Sequence, residues 1–190
     1  MLDDPFIDVL SAAVDALDRC GIPYAITGSV ASGLHGEPVT SQDVDIVIRM
    51  TPAQARRLAS ELPDRFYRSA ESLIEIADRG GISNLIDTRT ALKIDLSVPA
   101  ATGFFDSVFD RRSAAPLGVD APAYQVVSAE DVILMKLIWR KDTRSAKQWE
   151  NALGVARVKG ARMDWKYLFE QARALGIEAD LTALRDEAGI

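Results

Sequence analysis

A single cysteine, Cys20, and a single histidine, His35, stand among 190 residues. One thiol forbids an intramolecular disulfide, and no cysteine cluster is available to hold zinc, so a disulfide-stapled scaffold and a cysteine-ligated zinc domain are both excluded. Cys20 reads as a small hydrophobe at a helix end. Long apolar runs are missing as well: nothing approaches the roughly 18 consecutive residues that a membrane span requires. The chain begins MLDDPFIDVL, with acids where a secretory leader would carry bases, so a cytoplasmic location without membrane contact is expected. Basic excess is also lacking. Lysine and arginine total 22 against 28 aspartates and glutamates, a formal net charge of -6. That balance argues against nonspecific nucleic-acid binding through bulk charge, and any contact with a polyanion must be focused on a local patch. Repeats, low-complexity linkers and charge runs are absent too.

What is present is an ordinary globular composition, 48% hydrophobic and 26% charged, of a length suited to one domain or a core domain with a small appendage. The opening segment predicts a helix ending at Gly21, with Asp3 or Asp4 as its cap, Pro5 in its first turn, and Phe6, Leu10, Ala13, Val14 and Leu17 at helical spacing. YAIT then reads as a short buried strand, Gly28-Ser29 as a tight turn, VASGLHG as a short helix and DVDIVIRM as a strand. Thr51 and Pro52 start a long helix that Pro63 closes. SAESLIEIADRG predicts another, and SNLIDT and ALKIDLSV an antiparallel hairpin. TGFFDSVFDRR is expected to be helical and AYQVV a strand. Ser128 with Asp131 forms a capping box for AEDVILMKLIWRK, and three more helices follow. The character changes near Ser128, which suggests residues 1–127 as a mixed α/β core and 128–190 as a helical region packed on it.

Chemistry concentrates between residues 24 and 98. Asp43 and Asp45 lie two apart on a predicted strand, so both project from one face, while Val44, Ile46 and Ile48 point to the other. Adjacent carboxylates repel unless a cation lies between them, and magnesium, which takes oxygen ligands, is the simplest such partner. Asp95 shares a face with Lys93 and Ser97 on a strand suited to pair beside DVDIVI, so it offers a third carboxylate and a proton acceptor. Gly28-Ser29, between a strand and a helix, presents backbone N–H groups and the positive end of the helix to phosphate oxygens. Each piece alone has an ordinary structural explanation. A glycine-serine turn is usually only a turn, and an Asp-x-Asp pair is as often a solvated strand face; their combination is harder to dismiss.

In this arrangement the chain resembles the DNA polymerase beta-like nucleotidyltransferase superfamily, whose motif is Gly-Ser, a short gap, Asp-x-Asp and a later Asp. Gly28, Ser29, Asp43, Asp45 and Asp95 stand in those positions. The segment VVSAEDVILMKLIWRKDTRSAKQWEN is similar to the small AbiEii-type members, many of them toxins of bacterial toxin-antitoxin pairs. The resemblance implies an α+β fold, a mixed sheet flanked by helices with a C-terminal helical region. It implies transfer of a nucleoside monophosphate from a nucleoside triphosphate, with Mg2+ or Mn2+ on the three aspartates. It also implies that Lys136 meets the triphosphate, with Arg140 one helical turn on, and that the partners are RNA or protein acceptors and a cognate antitoxin. Aminoglycoside nucleotidyltransferases share the fold and suggest a small-molecule acceptor instead. Two positions depart from the pattern: Val39 stands where many relatives have arginine, and Gln148 where an aspartate falls, with Glu150 the nearest substitute. They raise a third expectation, a lapsed enzyme that binds nucleotide or a partner. His35 and the tryptophans Trp139, Trp149 and Trp165 read chiefly as structural, although a tryptophan also suits base stacking. Arg111 and Arg112 either steer an anion or favour a helix C-terminus.

Overall fold

The computed structural model describes residues 5–41, 43–118 and 121–190; the expected cap at Asp3 or Asp4 lies outside them. The first helix, α1 (Pro5–Arg19), buries the stripe Val9, Leu10, Ala13, Val14, Ala16 and Leu17, close to the spacing read from the sequence. Gly21, at φ 62°, then turns the chain into β1 (Tyr24–Thr27), whose four residues are all buried. The short helix α2 (Gly28–His35) leaves β1 directly, and the chain returns as β2 (Asp43–Ile48) antiparallel to β1.

Helix α3 (Pro52–Glu61) carries the Thr51 capping box, completed by Gln54. The two-residue β3 (Phe66–Tyr67) and α4 (Ala70–Arg79) follow. Strands β4 (Gly81–Asp87) and β5 (Lys93–Val98) form the expected antiparallel hairpin. Helix α5 (Gly103–Arg111), β6 (Ser113–Pro116) and β7 (Ala123–Val126) complete the first part. Among the described residues seven strands make one mixed sheet in the order β3-β4-β5-β2-β1-β7-β6, in which β2 runs parallel to β5 and β1 parallel to β7. Strands β3 and β6 are short edge strands that the sequence pattern did not announce.

From Ser128 onward the described residues form helices α6 (Ala129–Thr143), α7 (Ala146–Lys159), α8 (Trp165–Leu175) and α9 (Glu178–Ala188), with a 3-10 turn before α8. Residues 131–137 of α6 are all buried, as expected of a helix enclosed on every side. It packs against α2, α7, α8 and α9, and one apolar core runs through the sheet and these helices. Asp131, fully buried, accepts hydrogen bonds from Ser128 Oγ (2.7 Å) and the Tyr167 hydroxyl (2.7 Å), while the Arg111 guanidinium lies 4.0 Å from the Tyr167 ring centre. Arg111 is thereby a strut between α5 and the helical region. Among the described residues no helix is long and apolar enough to cross a membrane.

Candidate nucleotide and metal site

Strand alternation and parallel register build the acidic centre together. On the buried face Val44 lies beside Ile94 and Ile46 beside Leu96, all fully buried, and each such side chain contributes about 1.5–3 kcal/mol of burial free energy. That apolar face fixes the register, since a one-residue slip would turn every one of those side chains toward water. The opposite face consequently aligns Asp45 with Asp95 and Asp43 with Lys93. The three aspartates therefore occupy one face of two neighbouring strands. Burial, then Asp95, raises the Asp45 carboxyl above the usual carboxylate range, and Lys136 opposes that effect.

The Gly28-Ser29 turn is built around Asp45. Gly28 has φ 66°, and a Cβ there would come 1.8 Å from Asp45 Oδ2, so only glycine meets both the backbone and the space requirement. The N-cap residue Thr27 does not cap α2 with its side chain: its hydroxyl donates instead to Met135 Sδ at 3.4 Å. The positive end of α2 thus faces the acidic centre with Ser29 buried beside it. Lys136 is 2% exposed, and burial lowers its ammonium from the ordinary value of 10.5 to about 8, against the attraction of Asp45.

These groups border a cleft of about 500 Å³ lined by Ser29, Asp43, Asp45, Lys136, Trp139 and Gln148, among others. Helix α7 packs closely against the end of α2, where a Cβ at Gly36 would meet Val155 N at 2.6 Å, and its first turn lines the cleft. Lys147, which no sequence motif singles out, lines the same cleft, and so does the exposed Ile82 of β4. Gln148 Oε1 is buried without a hydrogen-bond partner among the described residues. Glu150, by contrast, is exposed and is not part of the lining.

Arg140 is not brought to the cleft. Its guanidinium pairs with Asp180 of α9 (3.1 Å) and lies over the Trp149 ring (4.6 Å), so it ties α6 to α7 and α9. His35 Nε2 donates to the Val127 carbonyl at 2.7 Å, a structural bond. Trp139, 36% exposed, stands on the cleft rim, whereas Trp149 and Trp165 pack against the core.

Lys93 received no role from the sequence, although its place on the polar face of β5 was legible. Its ammonium lies 2.9 Å from Asp95 Oδ2 and 3.4 Å from Asp43 Oδ2. The hydrogen bond to Asp95, foremost, holds this ammonium above the ordinary lysine range. Among the described residues no three acidic, histidine or cysteine side chains converge tightly enough to grip an ion as they stand. The donor set nevertheless suits a hard cation. It consists of carboxylate oxygens, Asp95 Oδ1 is buried without a hydrogen-bond partner among the described residues, and the Lys93 ammonium is itself a positive charge between Asp43 and Asp95.

No family model matches the sequence, and no curated protein sequence does either. Solved structures do match. The antibiotic-resistance factor ANT(2'')-Ia, in solution, superposes with a TM-score of 0.54 at 15% identity over 98% of each chain. The same factor in complex with adenylyl-2''-tobramycin gives 0.54 at 14% identity over 90% of this chain and 98% of that one. An antigenic nucleotidyltransferase-like protein from Paracoccidioides brasiliensis gives 0.51 at 16% identity over 93% and 91%. The chain has a nucleotidyltransferase-like fold.

Proposed function

We propose, from the premise of that fold, that this protein is a nucleotidyltransferase moving a nucleoside monophosphate from a nucleoside triphosphate to an acceptor hydroxyl. The observation that carries the reading is the register of β2 and β5: Asp45 lies beside Asp95, next to the uncapped start of α2 and the buried ammonium of Lys136. In such a transfer the acceptor oxygen bonds to the α-phosphorus, the bond from that phosphorus to the bridging oxygen breaks, and pyrophosphate leaves. The N–H groups at Gly28 and Ser29 and the Lys136 ammonium bind and orient the phosphates. A carboxylate oxygen of Asp95 takes the proton of the acceptor hydroxyl. Asp43, Asp45 and Asp95 would hold Mg2+ or Mn2+, which when bound supplies positive charge to the phosphate oxygens. Arg140, committed to Asp180 and Trp149, is left out of this assignment.

RNA or protein acceptors, with an antitoxin as binding partner, are what the AbiEii resemblance suggests. A small cationic acceptor is favoured by the net charge of -6 and by the exposed half of the Asp43 side chain at the cleft. ANT(2'')-Ia, which has a similar fold, is an antibiotic-resistance factor seen with adenylyl-2''-tobramycin. Incubation of the protein with each α-labelled nucleoside triphosphate and whole-cell extract or aminoglycosides, followed by separation of RNA, protein and small molecules, distinguishes these acceptors. Label transfer is expected from the native chain and not from Asp45→Asn. The melting temperature of that variant should not fall, because a carboxylate crowded by Asp95 and by burial is removed. Failure of label to reach any acceptor refutes the transfer. Nucleotide binding without transfer would mark a lapsed module, the alternative to which Val39 and Gln148 point.

A further inference from the structure

We infer that Lys93 is a built-in counter-ion of the carboxylate centre, which a divalent cation must displace, and that it thereby sets a low affinity for the free metal. The inference rests on the proposed nucleotidyl transfer, because it takes Asp43, Asp45 and Asp95 as metal ligands.

Three observations carry it. The Lys93 ammonium reaches Oδ2 of Asp95 and Oδ2 of Asp43 at once, at 2.9 and 3.4 Å. An oxygen-ligated divalent cation would draw on those same carboxylates, and two positive centres sharing them repel, so ammonium and metal compete for one place. The aspartates cannot yield: they project from two strands whose register is fixed by a buried apolar face. Lys93 can, since its side chain is 34% exposed and ends a flexible stem. Lys136 does not substitute for it: its side chain is buried in α6, and no ion pair joins it to Asp43 or Asp95 among the described residues. With Lys93 in place, the acidic face is neutralised in the absence of metal. With Lys93 withdrawn, the three carboxylates are open to the ion, and the lysine is free to face an arriving phosphate. Lys93 is on this view a positioning residue that gates the ligands.

The test is calorimetric titration of the nucleotide-free protein with MgCl2 and with MnCl2, for the native chain, Lys93→Met and Lys93→Arg, with melting temperatures measured in parallel. Lys93→Met should bind either ion about tenfold more tightly, because one competing charge is gone. It should also melt lower than the native chain without metal and recover when metal is added. Lys93→Arg, which keeps the charge, should retain the weak native affinity. A purely structural lysine would lower the melting temperature equally with and without metal and leave affinity unchanged; that result overturns the inference while leaving nucleotidyl transfer standing. Binding of neither ion by any of the three proteins overturns the inference and the metal ligation together. Should Lys93→Met not fold, Lys93→Gln, neutral but able to hydrogen-bond, carries the same comparison.

Discussion

Replacing Lys136 by methionine should make this protein more stable and less able to bind nucleotide. The side chain is 2% exposed, and its ammonium is lowered from 10.5 to about 8, mainly by burial. At about 1.4 kcal/mol for each pH unit between those values, keeping Lys136 charged in the folded state costs about 3 kcal/mol. Below pH 8 folded and unfolded chains both carry the proton, so the cost is present in full. Between 8 and 10.5 the unfolded chain keeps a proton that the folded chain has released, and stability rises with pH. The advantage of Lys136→Met over the native chain should therefore be largest at neutral pH and shrink by about 3 kcal/mol toward pH 10.5. Urea unfolding of both proteins across this range measures it, and the difference between them cancels the titrating groups that do not interact with Lys136. A triphosphate beside Lys136 restores its charge, so nucleotide binding above pH 8 should take up a proton, detectable by calorimetry in buffers of different ionisation enthalpy. A stability difference that stays constant with pH, or nucleotide binding undiminished in Lys136→Met, would refute the assignment of this lysine.

Gly28→Ala should cost about 2 kcal/mol from its positive φ alone and should abolish transfer, because the new methyl group displaces the Asp45 carboxylate. Gly21→Ala is the control: φ is 62° there and nothing lies within 4 Å, so stability should fall comparably with transfer intact. Equal transfer by both variants would contradict the contact between Gly28 and Asp45. Tyr167→Phe removes the donor to buried Asp131 and should lower stability by about 1–3 kcal/mol in urea unfolding, without altering nucleotide affinity. A change in nucleotide affinity would mean that the Asp131 network does more than hold the helical region to the core.

The parts of the site that local pattern dictates were legible in the sequence. Alternation in DVDIVI and KIDLSV assigned the carboxylates to one face and the aliphatic side chains to the other, because the strand period is two whatever the tertiary setting. Thr51 and Ser128 marked helix starts because capping is satisfied within four residues. The apolar residues on both sides of Lys136 signalled that it faces inward. Edge strands β3 and β6 escaped notice, since two or four residues paired on one side carry too little pattern to stand out.

Other features depended on residues that only folding brings together. The helical period correctly set Arg140 one turn after Lys136, but its partner is Asp180, 40 positions away on another helix. Lys147 lines the cleft from the first turn of α7, a placement with no local signature. The sequence by itself determined which face each aspartate occupies. The tertiary structure decided that Asp45 stands beside Asp95 and that Lys93 lies between Asp95 and Asp43, since strand register is set by burial across the whole sheet.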